Sequence, residues 1–253
     1  MKQPRHILIT GASSGLGEAL ALTYARPGVR LAVGGRNRER IESVAAACRA
    51  TGAEVAADLL DVTDAAGLAA WVEREDRIAP LDLVIANAGV SAGTGRGSET
   101  AEQARRIFAI NLDGVVNTVQ PAIPLMTARR HGQLALMSSL ASFRGFPGAP
   151  AYCASKAAVR VYGEALRGAL ARHGVAVSVI CPGFVKTPMT AVNKYPMPFL
   201  MEVDRAAAII RRGLARRKAR IAFPWRLYAL TRLLAALSPS VTDRWLARLP
   251  AKS

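Results

Sequence analysis

The chain has 253 residues, about half of them hydrophobic, with a net charge of +16. That length suits one large domain with a sizeable core and leaves little room for a second. It carries no uninterrupted run of about 18 apolar residues and no signal-peptide pattern, which excludes a spanning helix and predicts a cytoplasmic protein. The charge has three readings: anionic cofactors or substrates, an acidic partner or membrane surface, and a bias toward Arg codons. Charge speaks to association rather than to fold. Three scattered cysteines, Cys48, Cys153 and Cys181, show no metal-ligand spacing and read as buried, reduced thiols.

Apolar strand-like runs fall at 5–10, 29–34, 54–58, 82–86, 132–138 and 175–181. Between them, Ala/Leu/Arg-rich stretches near 15–26, 37–50, 64–76, 100–129 and 151–172 read as helices. Continuous apolar strands alternating with helices predict an α/β fold, a doubly wound parallel sheet covered on both faces. Residues 183–203, rich in Pro, Met and Phe, read as a lid of loop or short helix. Further helices follow over 203–250, with a last strand near 219–223 and a helical extension over about 224–250. No repeat or linker divides the chain, so 1–253 is read as a single Rossmann-type domain.

The first strand runs into Thr10-Gly11-Ala12-Ser13-Ser14-Gly15-Leu16-Gly17, and a helix follows. Glycines here let backbone N–H groups approach a pyrophosphate, and the helix N-terminus adds its positive end. The spacing is G-x-x-x-G-x-G, not the commoner G-x-G-x-x-G. A plain glycine turn is the alternative. The second strand ends in Gly34-Gly35-Arg36, without the carboxylate that bonds a ribose 2′-hydroxyl in NAD sites. Arg36, with Arg38 nearby, can pair with a 2′-phosphate, which predicts NADP(H) over NAD(H). A solvated surface arginine is the alternative.

Tyr152-Cys153-Ala154-Ser155-Lys156 opens a helical segment. Residues i and i+4 share a helix face, and an ammonium there can lower the phenol pKa from about 10. Tyr152 could then exchange a proton with a carbonyl or alcohol oxygen. Alone, such a pair is also a common surface feature. Ser138-Ser139, however, end the strand before it, at the edge where open α/β sheets bind ligands. His6, His131 and His173 lie away from that edge and read as structural or surface residues.

Together these motifs resemble the short-chain dehydrogenase/reductase family over about residues 5–190. The resemblance rests on T-G-x-x-x-G-x-G at 10–17, N-A-G at Asn87-Ala88-Gly89, Asn111, S-S at 138–139, Y-x-x-S-K at 152–156 and P-G-x-x-x-T at 182–187. It implies a catalytic tetrad of Asn111, Ser139, Tyr152 and Lys156, with Asn111 positioning a water. It implies a cofactor site at Gly11, Ser13, Ser14, Gly15, Leu16, Gly17, Asn87, Ala88 and Gly89, with Tyr152 and Lys156. Pro182, Gly183, Val185 and Thr187 would form the nicotinamide-side loop. Asp61 would approach the adenine, with Asp58 as the competing aspartate. No metal is implied, and the family's dimers or tetramers pack through the helices near 100–129 and 151–172.

Leu140, Phe143 and Phe146 after Ser139, with Phe184, Met189, Val192, Tyr195, Met197, Phe199, Leu200 and Met201 in the lid, predict an apolar ketone or alcohol substrate. Their alternative is packing of the lid or an oligomer interface. The basic stretch from Arg211 to Arg220, followed by the Trp225–Leu234 helix, reads three ways: a peripheral membrane contact, a partner-subunit contact or a solvated face. No nucleic-acid reading element is present. The leading reading is a carbonyl reductase or alcohol dehydrogenase. A 3-oxoacyl thioester reductase and a non-catalytic NADP sensor or scaffold are the alternatives.

Overall fold

The structure is a computed structural model and describes residues 3–91, 98–193 and 195–246. Lys194 of the expected lid and residues 247–250 of the expected extension lie outside the described residues. Seven parallel strands form one sheet in the order β3-β2-β1-β4-β5-β6-β7. They are β1 His6–Thr10, β2 Arg30–Gly35, β3 Glu54–Leu59, β4 Leu83–Ala86, β5 Gly132–Met137, β6 Val175–Pro182 and β7 Arg220–Phe223. The strand order reverses between β1 and β4, which opens a crevice at their carboxyl ends.

Both faces of the sheet are covered, which is why the strands read as unbroken apolar runs rather than alternating ones. In β1, Ile7 and Ile9 face a core built with α1 (Gly15–Tyr24), α2 (Arg38–Arg49) and α9 (Val203–Ala215). Leu8 faces the opposite core, with Leu68 and Trp71 of α3 (Ala65–Ile78), Val115 of α5 (Gly114–Val119) and Val159 of α7 (Pro150–Ala171).

The helix expected over 100–129 is broken into three. It comprises α4 (Ala101–Phe108), a π-helical turn at Ala109–Asp113 leading into α5, and α6 (Ala122–Ala128). Pro121, which has no N–H to donate, separates α5 from α6. The lid holds one short helix, α8 (Pro188–Ala191). Val185 bridges Met201 in parallel, and Met201 N–H donates to Phe184 O at 3.0 Å, so the lid is pinned at both ends. After β7 come α10 (Trp225–Ala236) and α11 (Pro239–Leu246).

Candidate active site

Gly11 and Gly15 both hold left-handed backbone, with φ of 66° and 59°. A Cβ on Gly11 would stand 2.6 Å from Ala88 Cα, and one on Gly17 would stand 2.1 Å from Gly11 O. The close approach of turn to helix therefore needs hydrogen in place of a side chain. Asn87 locks the turn from β4, its Nδ2 donating to Thr10 O and Gly11 O at 3.1 Å each. Ser14 caps α1 by position but makes no side-chain capping bond, so its hydroxyl is not spent on the helix. The result is an amide-lined cradle at a helix N-terminus, a fit for a pyrophosphate.

This turn floors a cleft of about 380 Å³. Ser13, Ser14, Leu16, Asn87, Ala88 and Gly89 line it, as do Arg36 and Asp61 at one end. Ser139, Tyr152, Lys156, Pro182, Gly183, Val185 and Thr187 line the other end. Gly17 and Asn111 are not among its walls; both stand behind it.

At the β2 end, Arg40 joins Arg36 in the cleft wall, and Arg38 does not. Asn37 N-caps α2, its side chain accepting from Arg40 N–H at 2.9 Å. Asn37 itself lines the cleft, beside the Arg40 from whose N–H it accepts. Asp61 reaches the cleft and Asp58 does not. Asp58 accepts from Trp71 Nε1 at 2.9 Å and pairs with Arg74 at 2.7 Å. The Asp61 carboxylate accepts from Thr63 N–H at 2.9 Å and Thr63 Oγ1 at 2.8 Å. Those bonds, helped by Arg36, hold its pKa below the usual carboxylate range against a partial burial penalty.

At the β5 end, Ser138 Oγ donates to Lys156 O at 2.7 Å and ties the strand end to α7. Ser139 Oγ accepts from Ala141 N–H at 3.1 Å and is hydrogen-bonded to Tyr152. Lys156 is 4% exposed; its Nζ donates to Met137 O at 2.9 Å and lies 5.9 Å from the Tyr152 ring centre. The expected lowering of the phenol pKa is not what the fold produces. Burial raises the Tyr152 pKa, the Ser139 bond opposes it in part, and the same burial pushes Lys156 down to about 8. Both groups sit in low dielectric, where the neutral form is favoured, and the amine is drawn back to a backbone carbonyl.

Asn111 lies in the π-helical turn, a widened helix of the kind often found at functional sites. Its Oδ1 accepts from Val90 N–H at 2.7 Å, and its Nδ2 donates to Val90 O at 2.9 Å and Ser155 Oγ at 3.1 Å. Both amide hydrogens are used, leaving only acceptor capacity on Oδ1. The side chain thus clamps the strand β4 loop to α7. Gly89 makes the clamp possible: a Cβ there would stand 3.2 Å from Asn111 Oδ1 and 3.3 Å from Lys156 Nζ.

Thr187 caps α8 opposite the glycine turn, its N–H donating to Thr190 Oγ1 at 2.9 Å. Thr190 also lines the cleft, a residue the motif did not single out. Of the expected apolar wall, Met189 lines the cleft, and Tyr195 acts electrostatically on Tyr152 while stacking edge-on with Phe184 at 6.3 Å. Met201 is instead buried in the core. Phe143 packs on Tyr228 at 5.4 Å, with the guanidinium groups of Arg160 and Arg220 over its ring. It serves the seat of α10 rather than a substrate wall. The histidines lie elsewhere: His6 bonds Ala79 O at 2.7 Å and His131 pairs with Asp82 at 3.1 Å. Among the described residues, no group of three His, Cys, Asp or Glu could hold a metal.

A doubly wound parallel sheet with a glycine cradle at its switch point and a Ser–Tyr–Lys cluster on the neighbouring strand ends defines a nucleotide-binding oxidoreductase of the Rossmann type. The chain belongs to the short chain dehydrogenase family, whose family model matches residues 5–196. It is an enzyme class acting between CH–OH and C=O groups. An oxidoreductase of Myxococcus xanthus is 42% identical over 246 residues, 97% of each chain. A short-chain dehydrogenase of Sphingobium yanoikuyae, solved in complex with NADPH, is similar with a TM-score of 0.81 and 27% identity, covering 97% of this chain and 96% of that one. A family member from Burkholderia phymatum, in complex with NAD, is similar with a TM-score of 0.84 and 25% identity, covering 99% of this chain and 98% of that one.

Proposed function

We propose that this chain interconverts a ketone or aldehyde and an alcohol, using NADP(H) and an apolar substrate. The observation that carries the reading is the Ser139–Tyr152 hydrogen bond beside buried Lys156, in the same cleft as the glycine cradle. The cradle residues fit a pyrophosphate, and a nicotinamide cofactor bound there supplies or removes hydride. Arg36 and Arg40 at the β2 end, with no carboxylate closing that strand, favour a 2′-phosphate. Asp61 stands at the same end and suits the adenine side.

In reduction, Ser139 and Tyr152 both offer hydroxyl hydrogens to one carbonyl oxygen. Tyr152, kept protonated by burial, gives its proton as the oxygen gains charge. Lys156, with a pKa brought down to about 8, holds a readily exchanged proton beside the phenol. Asn111 keeps α7 in register through Ser155 and Val90. Thr187 and Val185 close the cleft opposite the glycine turn, and Met189 and Tyr195 give the open end its apolar character.

A homodimer or homotetramer packed through α4–α6 and α7 accompanies this reading, supported by Val161, which stands exposed on α7. Three buried cysteines outside any disulfide suit a reducing cytoplasm.

The test is turnover of a graded series of apolar ketones with NADPH and with NADH, in wild type and in Tyr152→Phe. Turnover in the variant falls roughly 10²–10⁴-fold while NADPH binding persists. Wild-type binding of NADPH without turnover of any carbonyl would instead identify a cofactor sensor.

A further inference from the structure

A second cavity, of about 230 Å³, lies at the amino ends of the strands, on the opposite edge of the sheet from the cleft. Leu83 and Gln133, paired where β4 and β5 begin, line it with Tyr24, the last residue of α1. Arg211, Arg212 and Leu214, near the end of α9, line it from the other side.

A void inside a protein is ordinarily apolar, and polar groups in its wall call for a partner. Two of the buried wall residues are polar: Tyr24 is 4% exposed and Gln133 7%. Gln133 Nε2 donates to Ser178 Oγ at 3.1 Å and to Leu214 O at 3.2 Å. Both amide hydrogens are spent, so Oε1 is left as an open acceptor. The Tyr24 hydroxyl makes no hydrogen bond among the described residues. Burial raises its pKa, against the pull of Arg211 and Arg26, so it stays a donor.

Charge around the cavity is positive. Arg211 and Arg212 are exposed and, among the described residues, in no ion pair or hydrogen bond. Arg26 and Arg211 both act electrostatically on the Tyr24 hydroxyl, which brings a third guanidinium group near the site. No Asp or Glu is among the described residues that line it. Asp82, next to Leu83, spends its carboxylate on Arg5 N–H, His6 N–H and His131. α1 and α9 both end here, and their negative ends amount to about half a charge each, which leaves the cations in excess.

Donors therefore stand on the α1 and α9 side and an acceptor on the β5 side. A bare anion would leave Gln133 Oε1 unmet, and a plain alcohol would leave the guanidinium groups unmet. The volume is below the roughly 300–1,000 Å³ of drug-sized sites, so the ligand has only a few carbons. We infer that this cavity binds a small hydroxycarboxylic acid. Arg211, Arg212 and the Tyr24 hydroxyl take the carboxylate, Gln133 Oε1 accepts from the ligand hydroxyl, and Leu83 and Leu214 enclose the carbon body. The inference does not rest on the carbonyl chemistry proposed for the cleft.

The test is titration calorimetry of the full chain at low salt, without nicotinamide cofactor, using 3-hydroxybutyrate, butyrate, 2-butanol and inorganic phosphate. 3-Hydroxybutyrate binds saturably; butyrate binds about fivefold more weakly for want of one hydrogen bond, and 2-butanol and phosphate more weakly still. Arg211→Ala/Arg212→Ala weakens 3-hydroxybutyrate about tenfold or more. Tyr24→Phe weakens it about fivefold without lowering Tm, because the lost hydroxyl has no partner within the fold. Arg36→Ala/Arg40→Ala, in the cleft, leaves it unchanged. Absence of saturable binding by wild type would make this a water-filled pocket and overturns the inference. Binding lost in Arg36→Ala/Arg40→Ala but kept in folded Arg211→Ala/Arg212→Ala would place the ligand in the cleft and overturns it too. Butyrate or phosphate bound as tightly as 3-hydroxybutyrate does so as well, since Gln133 would then read nothing.

Discussion

Ser139 and Tyr152 are hydrogen-bonded to one another although one caps the turn after β5 and the other lies in the first turn of α7. The neighbouring Ser138–Lys156 backbone contact, at 2.7 Å, holds the two elements together. The bond opposes the rise that burial imposes on the phenol pKa. Removing it in Ser139→Ala therefore raises that pKa further. Alcohol oxidation, which needs the phenolate, moves its acid limb, the rise of rate with pH, to higher pH, and kcat falls roughly 10²–10³-fold for want of one donor to the substrate oxygen. A pH–rate profile that keeps its position in the variant would separate Ser139 from proton transfer.

The cleft-lining pair Arg36 and Arg40 gives the cofactor preference a direct test. Arg36→Ala/Arg40→Ala raises KM for NADPH by about tenfold or more, since charge-assisted bonds to a phosphate are each worth about 1.5–3 kcal/mol. KM for NADH changes little. Parallel losses with both cofactors would show that these arginines do not read the 2′ position.

Asn111 is a clamp, and its loss strands two backbone groups. Asn111→Ala leaves Val90 N–H and Val90 O without their partner, a cost of about 1–3 kcal/mol for each buried group left unsatisfied. For a chain of this size that lowers Tm by several degrees, at about 2–4 °C per kcal/mol. Calorimetry of the cofactor-free protein reads this separately from catalysis. A variant as stable as wild type but inactive would return Asn111 to a purely catalytic role.

Glu75 makes stability depend on acid. It is 1% exposed, and burial alone would raise its pKa; bonds from His6, Arg74 and Arg30 outweigh that and bring it to about 2. The carboxylate form is thus favoured in the folded state. Its contribution is present above the ordinary glutamate pKa of 4.5 and is lost as pH falls from there toward about 2. Wild-type Tm drops across that window. Glu75→Gln is less stable at neutral pH, by on the order of 3 kcal/mol, and shows a flatter acid limb. Equal acid limbs in both proteins would assign the sensitivity to other carboxylates.

Apolar runs of strand length, separated by helix-length segments, were enough to predict a doubly wound parallel sheet, though not its strand order. The parallel strands are buried on both faces, and that burial writes itself into local composition. The glycine turn was legible for a similar reason: a Cβ at Gly11 or Gly17 meets backbone, so the requirement falls on the residues themselves. The tetrad positions and the absence of a carboxylate after β2 are likewise properties of the string of residues. What each of those groups does depended on neighbours far away in the chain. Arg40 and not Arg38 lines the cleft, beside Asn37, which accepts from its N–H. Asp61 and not Asp58 faces it because Trp71 and Arg74 take up the other carboxylate. Phe143 leaves the substrate side because α10 packs beneath it, and Tyr152 keeps its proton because partial burial in the cleft wall disfavours the phenolate. Spacing along a chain determines which groups can share a strand edge or helix face. Burial, pairing and pKa belong to contacts between elements, and those exist only once the sheet and its helices have closed on one another.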